Sequence, residues 1–203
     1  MSLPLPFTED QRDALQEVIN VAMGAAGESL AAFAEVFVQL PIPVIRYIEP
    51  GDLKSALSAV DEGEKVSVVA QRFSSDANEG FALVAITESS FRDLSEFTGR
   101  EVTNDTVAAE LLTDLSATIA TTCLNRLSEM AEVPMTPAES PEVVTLHSPL
   151  NEFSFADILG WDAVVSAEIN YHLENHPFNC DLVLLFPESG VEDMKMRLDA
   201  LLA

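Results

Sequence analysis

Phe81-Ala82-Leu83-Val84-Ala85-Ile86 and Cys180-Asp181-Leu182-Val183-Leu184-Leu185 stand 99 residues apart and are β-rich runs in matching surroundings. Each is read as the second arm of an antiparallel hairpin. Residues 66–73 precede the first run across Ser74-Ser75-Asp76-Ala77-Asn78-Glu79-Gly80, a turn-forming cluster, and residues 163–172 precede the strand at 182–186. A loop with Glu and Ser follows each run, and then a helix, at 89–98 in one half and 191–202 in the other. Gly99 ends the earlier of these helices.

Upstream of each hairpin the same order recurs. Thr8-Glu9-Asp10-Gln11 forms a capping box, a hydroxyl at the N-cap with Gln three residues on, and opens a long helix reaching Ala34. Gly24 and Gly27 are placed to bend or split it. Pro41 and Pro43 lead into a strand at 40–49, and a further short strand is expected at 54–60. The second half has a helix at 104–130, a turn marked by Pro134, Pro137 and Pro141, a strand at 143–147, and a short helix or loop up to Gly160. An internal duplication is the simplest account. The expected fold is therefore α/β (α+β), antiparallel strands with helices built twice. The pseudo-two-fold halves, 8–100 and 104–202, form a single domain over 1–203.

The chain has 203 residues, 34 acidic and 10 basic, for a net charge of −24. Nucleic acid and anionic membrane surfaces are excluded as partners, because this field repels a phosphate backbone. Arg126 is the only base between Arg100 and Lys195, so a polyanion bound to the second half would need a metal. With 48% hydrophobic and 22% charged residues the composition is that of a chain with a core, unlike a disordered acidic tail. Residues 1–7 show neither a basic leader nor a signal-length apolar run, and no stretch approaches the roughly 20 apolar residues of a membrane span, so the chain reads as cytoplasmic. Cys123 and Cys180, far apart and outside any CxxC, read as buried free thiols.

Chemistry is sought on the two long helices. At about 100° per residue, Asp13, Glu17 and Asn20 fall at roughly 0°, 40° and 340°, while Leu15, Val18, Ile19 and Ala22 point elsewhere. Gly24 and Gly27 continue this stripe as a patch without side chains, although each costs a helix about 1 kcal/mol relative to Ala. Close approach of a partner explains the combination. So does a plain solvated face with glycines that admit a neighbouring helix, and spacing alone does not choose.

Asp13-x-x-x-Glu17-x-x-Asn20 with the distant Pro43 resembles the signature of the CheC and CheX family of chemotaxis phosphatases. The run Asn20-Val21-Ala22-Met23-Gly24-Ala25-Ala26-Gly27-Glu28-Ser29-Leu30 is also similar to the small-residue stretch after the family's Asn. The resemblance implies a CheC-like domain that hydrolyses the aspartyl phosphate of a CheY-like response-regulator receiver. It implies no cofactor of the chain's own, since the receiver brings Mg²⁺ together with the phosphoryl group. Asn20 would orient the attacking water and Glu17 would pair with the receiver's active-site Lys, both as catalytic residues. Asp13 and Gly24 would touch the partner. Pro43 would shape the turn under the helix, and a purely structural proline is its equal alternative. The other class of function that the resemblance leaves open is a non-catalytic adaptor for a receiver, a CheD-like deamidase or a flagellar switch component.

The second helix carries a degraded copy. Ninety-three residues on, Thr106, Glu110 and Thr113 occupy the stripe, Thr136 stands at the place of the distant Pro with Pro137 one position late, and Ala117 and Ala120 replace the glycines. Without an amide at Thr113, this face is expected to dock a receiver but to hydrolyse poorly, if at all. His147, His172 and His176 read as surface histidines and not as a metal site. Trp161 reads as core, Asp61-Glu62-Gly63-Glu64 as a solvated turn, and the Pro-rich segment 131–142 as a connection.

Overall fold

The structure, a computed structural model, describes residues 3–57, 64–75, 78–137, 140–149, 152 and 160–203. Helix α1 spans Glu9–Ala34 without interruption despite Gly24 and Gly27. Its capping box forms as the sequence indicates: Gln11 N donates to Thr8 Oγ1 at 3.2 Å and Thr8 N donates to Gln11 Oε1 at 3.0 Å. Gln11 Nε2 also donates to Asp199 Oδ1 at 2.7 Å, tying the start of α1 to the last helix.

The expected strand at 40–49 divides into β1 (Val38–Gln39) and β2 (Val44–Ile48), because Pro41 and Pro43 lack the N–H that a continuous ladder requires. Residues 50–56 form a 3-10 helix (Pro50–Ala56) and not the expected short strand. Pro50 sits in its first turn, and the buried Leu53 and Leu57 recur at helical spacing. Residues 58–60 of that expectation lie outside the described residues. The hairpins are β3 (Lys65–Ser75) with β4 (Asn78–Thr87), and β7 (Val164–Leu173) with β8 (Asn179–Pro187). Between them come α2 (Glu88–Thr98), α3 (Asp105–Ala131), β5 (Met135–Pro137) and β6 (Glu142–Pro149), and α4 (Val191–Leu202) closes the chain. Gly99 takes φ 63° as the C-cap of α2, a conformation glycine adopts without strain. The Pro-rich turn thus contains a short edge strand, β5, paired with the end of β3.

All strand pairings are antiparallel within one eight-stranded sheet, ordered β1-β7-β8-β4-β3-β5, with β2 also on β7 and β6 also on β3. Exchanging each strand for its counterpart reverses this order and leaves it unchanged, so the sheet has pseudo-two-fold symmetry. β1 and β2 of the first half pair with the second half's β7, and β5 and β6 of the second pair with β3. The axis crosses the centre, where Leu83 faces Val183 and Val84 faces Leu182. It also runs between α1 and α3, where Ser29 Oγ donates to Thr122 Oγ1 at 2.9 Å. These two residues stand 93 apart, the offset that superposes Glu17 on Glu110.

The helices cover one face of the sheet over a continuous core. Ala22, Met23 and Ala26 of α1 and Leu112, Leu115, Ile119 and Ala120 of α3 have no exposed surface in it. Small residues on both helices let their axes approach. On the opposite face a second core gathers Leu53 and Leu57 over Val68, Leu83, Val183 and Leu185, and Trp161 packs on Phe81 at 5.5 Å between ring centroids. Among the described residues α3 is the one helix long and apolar enough to cross a membrane, which departs from the sequence expectation. Half of its apolar window is buried against α1 and the sheet.

Candidate functional site

Asp13, Glu17 and Asn20 are all exposed on α1, on the side turned away from its buried Leu15, Val18, Ile19 and Ala22. Glu17 and Asn20 lie one turn apart, about 4.5 Å along the axis. None of the three side chains makes a hydrogen bond or ion pair among the described residues. They are free to meet a partner.

The two glycines differ. A Cβ on Gly24 would meet nothing within 4 Å, so that part of the face is open. A Cβ on Gly27 would fall 2.3 Å from Leu40 Cδ2 and 3.2 Å from Tyr171 Cε1. Packing alone therefore accounts for Gly27, which is buried, whereas no intramolecular contact accounts for Gly24. Tyr171 fixes this region further, its hydroxyl donating to the Met23 carbonyl at 2.8 Å.

Pro43 is buried beside the same helix, and its carbonyl accepts from Gln16 Nε2 at 3.0 Å. The distant proline of the motif is thereby brought to the residue that precedes Glu17 in the chain. Nothing in the sequence, at a separation of 27 residues, announces the Gln16 bond. Beside Asp13 lies a recess of about 360 Å³ bounded by Leu5, Glu9, Arg12, Gln16 and Ile45. A separate, mostly apolar groove between α1, the end of α3 and α4 meets α1 on the opposite side, through Leu15, Val18 and Ile19.

The second face is built differently. Thr106 and Glu110 are exposed and Thr113 is half-buried. Arg100 donates through one nitrogen to Glu110 Oε2 at 3.0 Å and through the other to Asp114 Oδ2 at 2.8 Å. Glu110 thus already holds a cation from its own chain, whereas Glu17 does not. Arg100 was missed in the sequence, although a lone base four residues before the N-cap of an acidic helix is the signal that reveals it. The 93-residue offset also fails beyond the helix. Thr136 pairs with Ser74 and Pro137 with Phe73 in β5, at the place β1 holds in the first half. Val143 faces Val69, as Val44 faces Glu168 99 residues later, so Glu142 stands where Pro43 does.

The remaining candidates resolve into structure. His147 is half-buried with φ 51° in an irregular stretch of β6, its Nδ1 2.6 Å from Glu88 Oε2 and its ring against Phe91, so it is not a plain surface histidine. His176 packs edge-on against Phe97, and His172 is exposed. No group of three or more His, Cys, Asp or Glu among the described residues could hold a metal ion. Cys123 and Cys180 are free and buried, and burial pushes the Cys123 thiol up to about 12, leaving it inert as a nucleophile.

A duplicated antiparallel sheet backed by two long helices is the fold shared by CheX, FliY and the FliM middle domain. Solved structures share it. FliY of Thermotoga maritima superposes with a TM-score of 0.70 over 97% of this chain and 99% of its own, at 17% identity. A chain of the FliG–FliM complex of H. pylori gives 0.57 over 93% and 99% at 12% identity, and the chemotaxis protein CheX of Desulfovibrio desulfuricans 0.56 over 84% and 99% at 12%. At these identities the likeness is one of fold. No family model and no curated protein sequence matches the chain.

Proposed function

We propose that the chain accelerates hydrolysis of the aspartyl phosphate on a CheY-like response-regulator receiver, docking α1 against the phosphorylated site. The observation that carries this reading is the pairing of exposed, unpartnered Glu17 and Asn20 beside the open Gly24. In the reaction, water attacks phosphorus, the bond from phosphorus to the aspartyl oxygen breaks, and inorganic phosphate leaves a free carboxylate. The receiver supplies the phosphoryl group and its Mg²⁺. What remains is positioning, a task suited to an amide: the Asn20 carbonyl accepts from the attacking water, and its NH₂ donates to a phosphoryl oxygen.

Glu17, without a cation of its own, pairs with the receiver's active-site Lys and sets the helix in place. Asp13 flanks the contact. Pro43 holds the adjoining segment through the Gln16 bond. A second reading, a non-catalytic adaptor of chemotaxis or of the flagellar switch, is favoured by the FliM chain solved with FliG. A CheD-like partner belongs to that reading.

The two separate in phosphate release from an acyl-phosphorylated receiver, followed against protein concentration. Asn20→Ala lowers the saturating rate by about 100-fold, as loss of a positioning group does, and leaves half-saturation nearly unchanged. Glu17→Ala mainly raises the half-saturating concentration. Binding without any acceleration by the unmodified protein would leave the adaptor.

A further inference from the structure

Residues 37–44, from just before β1 to the start of β2, expose large apolar side chains. Phe37 is 69% exposed, Leu40 48%, Ile42 79% and Val44 46%, four within eight residues. Burying such groups is favourable and leaving them in water is not, so four of them exposed within one short stretch of chain point to a contact surface.

The duplication supplies an internal control. The counterpart edge runs from Met135 to Val143, with β5 at the place of β1 and β6 at that of β2. Its exposed described residues are Thr136, Ser140 and Glu142, all polar, while Met135, Pro137, Pro141 and Val143 are half-buried. Among the described residues, large exposed apolar side chains on this edge thus occur only in the half that bears Asn20. Structural need would act on both halves alike.

Its position is equally specific. Leu40 lies over Gly27 and the Pro43 carbonyl is bonded to Gln16. On the helical wheel these anchor points fall at roughly 320° and 300°, beside Asn20 at roughly 340° and about a quarter turn from Glu17 at roughly 40°. The strip therefore runs along the Asn20 side of the polar stripe. Beyond it the stripe is acidic, with Asp13, Glu17 and Glu28 exposed.

We infer that Phe37, Leu40, Ile42 and Val44 form the apolar half of the surface that docks the phosphorylated receiver. The partner then presents an apolar patch next to a basic group, the patch on the strip and the base on Glu17. This rests on the receiver reading above and adds how the partner is held: the strip supplies affinity, and Asn20 supplies the rate. It also explains why the second face, which has a Glu but a polar edge, differs in more than its missing amide.

The test is phosphate release from an acyl-phosphorylated CheY-class receiver with the combined Phe37→Ser and Ile42→Ser variant, together with receiver binding by calorimetry and the mass in solution by light scattering. Both positions are highly exposed, so the fold is retained, which circular dichroism checks. The expected result is a half-saturating concentration raised about tenfold or more, an unchanged saturating rate and an unchanged mass. Unchanged half-saturation with normal acceleration would overturn the strip's role and leave the phosphatase reading standing. A lower mass with unchanged half-saturation would reassign the strip to contact with a second copy. If the unmodified protein binds without accelerating, the phosphatase reading fails, and weaker binding by the variant would still support the strip. No binding at all would overturn both.

Discussion

Two glutamates at equivalent positions, Glu17 and Glu110, have opposite circumstances, and the difference lies in one arginine. Arg100 spans Glu110 and Asp114, so both carboxylates of the second face already hold a cation from their own chain. Restoring the amide there is therefore not sufficient. In an Asn20→Ala background, Thr113→Asn alone is expected to give no gain in phosphate release, and Thr113→Asn with Arg100→Ala a measurable one. A full gain from Thr113→Asn alone would show that Arg100 does not close this face. Spacing in the sequence revealed the two stripes but not which Glu was already partnered, because that depends on a side chain folding back from the preceding loop. Glu168 of β7 has a different environment. Burial raises its carboxyl above the ordinary Glu range, against the opposing effects of the Ser166 hydroxyl at 2.6 Å and of Arg46. A raised acid holds its proton longer when folded, so its stability contribution is intact below the unfolded value and is lost as pH climbs through the folded one. Urea unfolding of Glu168→Gln beside the unmodified protein is expected to show the variant gaining relative stability as pH rises from about 4. A gap that is constant or shrinking with pH contradicts this.

Among the elements, α1 was read to its ends from the capping box and the apolar period, and the strands of both hairpins emerged within a few residues. What the sequence did not yield was the division of 38–48 into two strands and the 3-10 turn at Pro50–Ala56. Local propensity does not separate the alternatives, and the tertiary partners decide: β7 for the strands, the second core for Leu53 and Leu57. The glycine pair, one continuous patch on the helical wheel, is two features in the structure. Gly27 admits Leu40, whereas Gly24 leaves the face open at a cost in helix stability. Gly24→Ala is therefore expected to stabilise the protein by about 0.5–1 kcal/mol in urea unfolding while raising the half-saturating receiver concentration. A stability gain with unaltered half-saturation would remove Gly24 from the docking face.

Over the whole molecule the duplication is legible in the sequence as a repeated order of elements, but its interleaving is not. Each half gives its edge strands to the other's hairpin, so neither half has a complete sheet of its own. Long-range pairing of this kind has no local signature. The symmetry supplies two equivalent helix faces on one helical layer, and their residues make them unequal: one with an unpartnered Glu, an Asn, an open glycine and an exposed apolar flank, the other with a bridged Glu, a Thr and no large exposed apolar residue on its described flank. The charge of −24, first useful for excluding polyanions, suits a protein partner that offers a basic group beside an apolar patch. The most direct test of the central claim is the rate of phosphate release from an acyl-phosphorylated receiver, with the unmodified protein and with Glu17→Ala plus Asn20→Ala. The account predicts acceleration by the first and a rate at the receiver's own basal level with the second; equal rates in the two would contradict it.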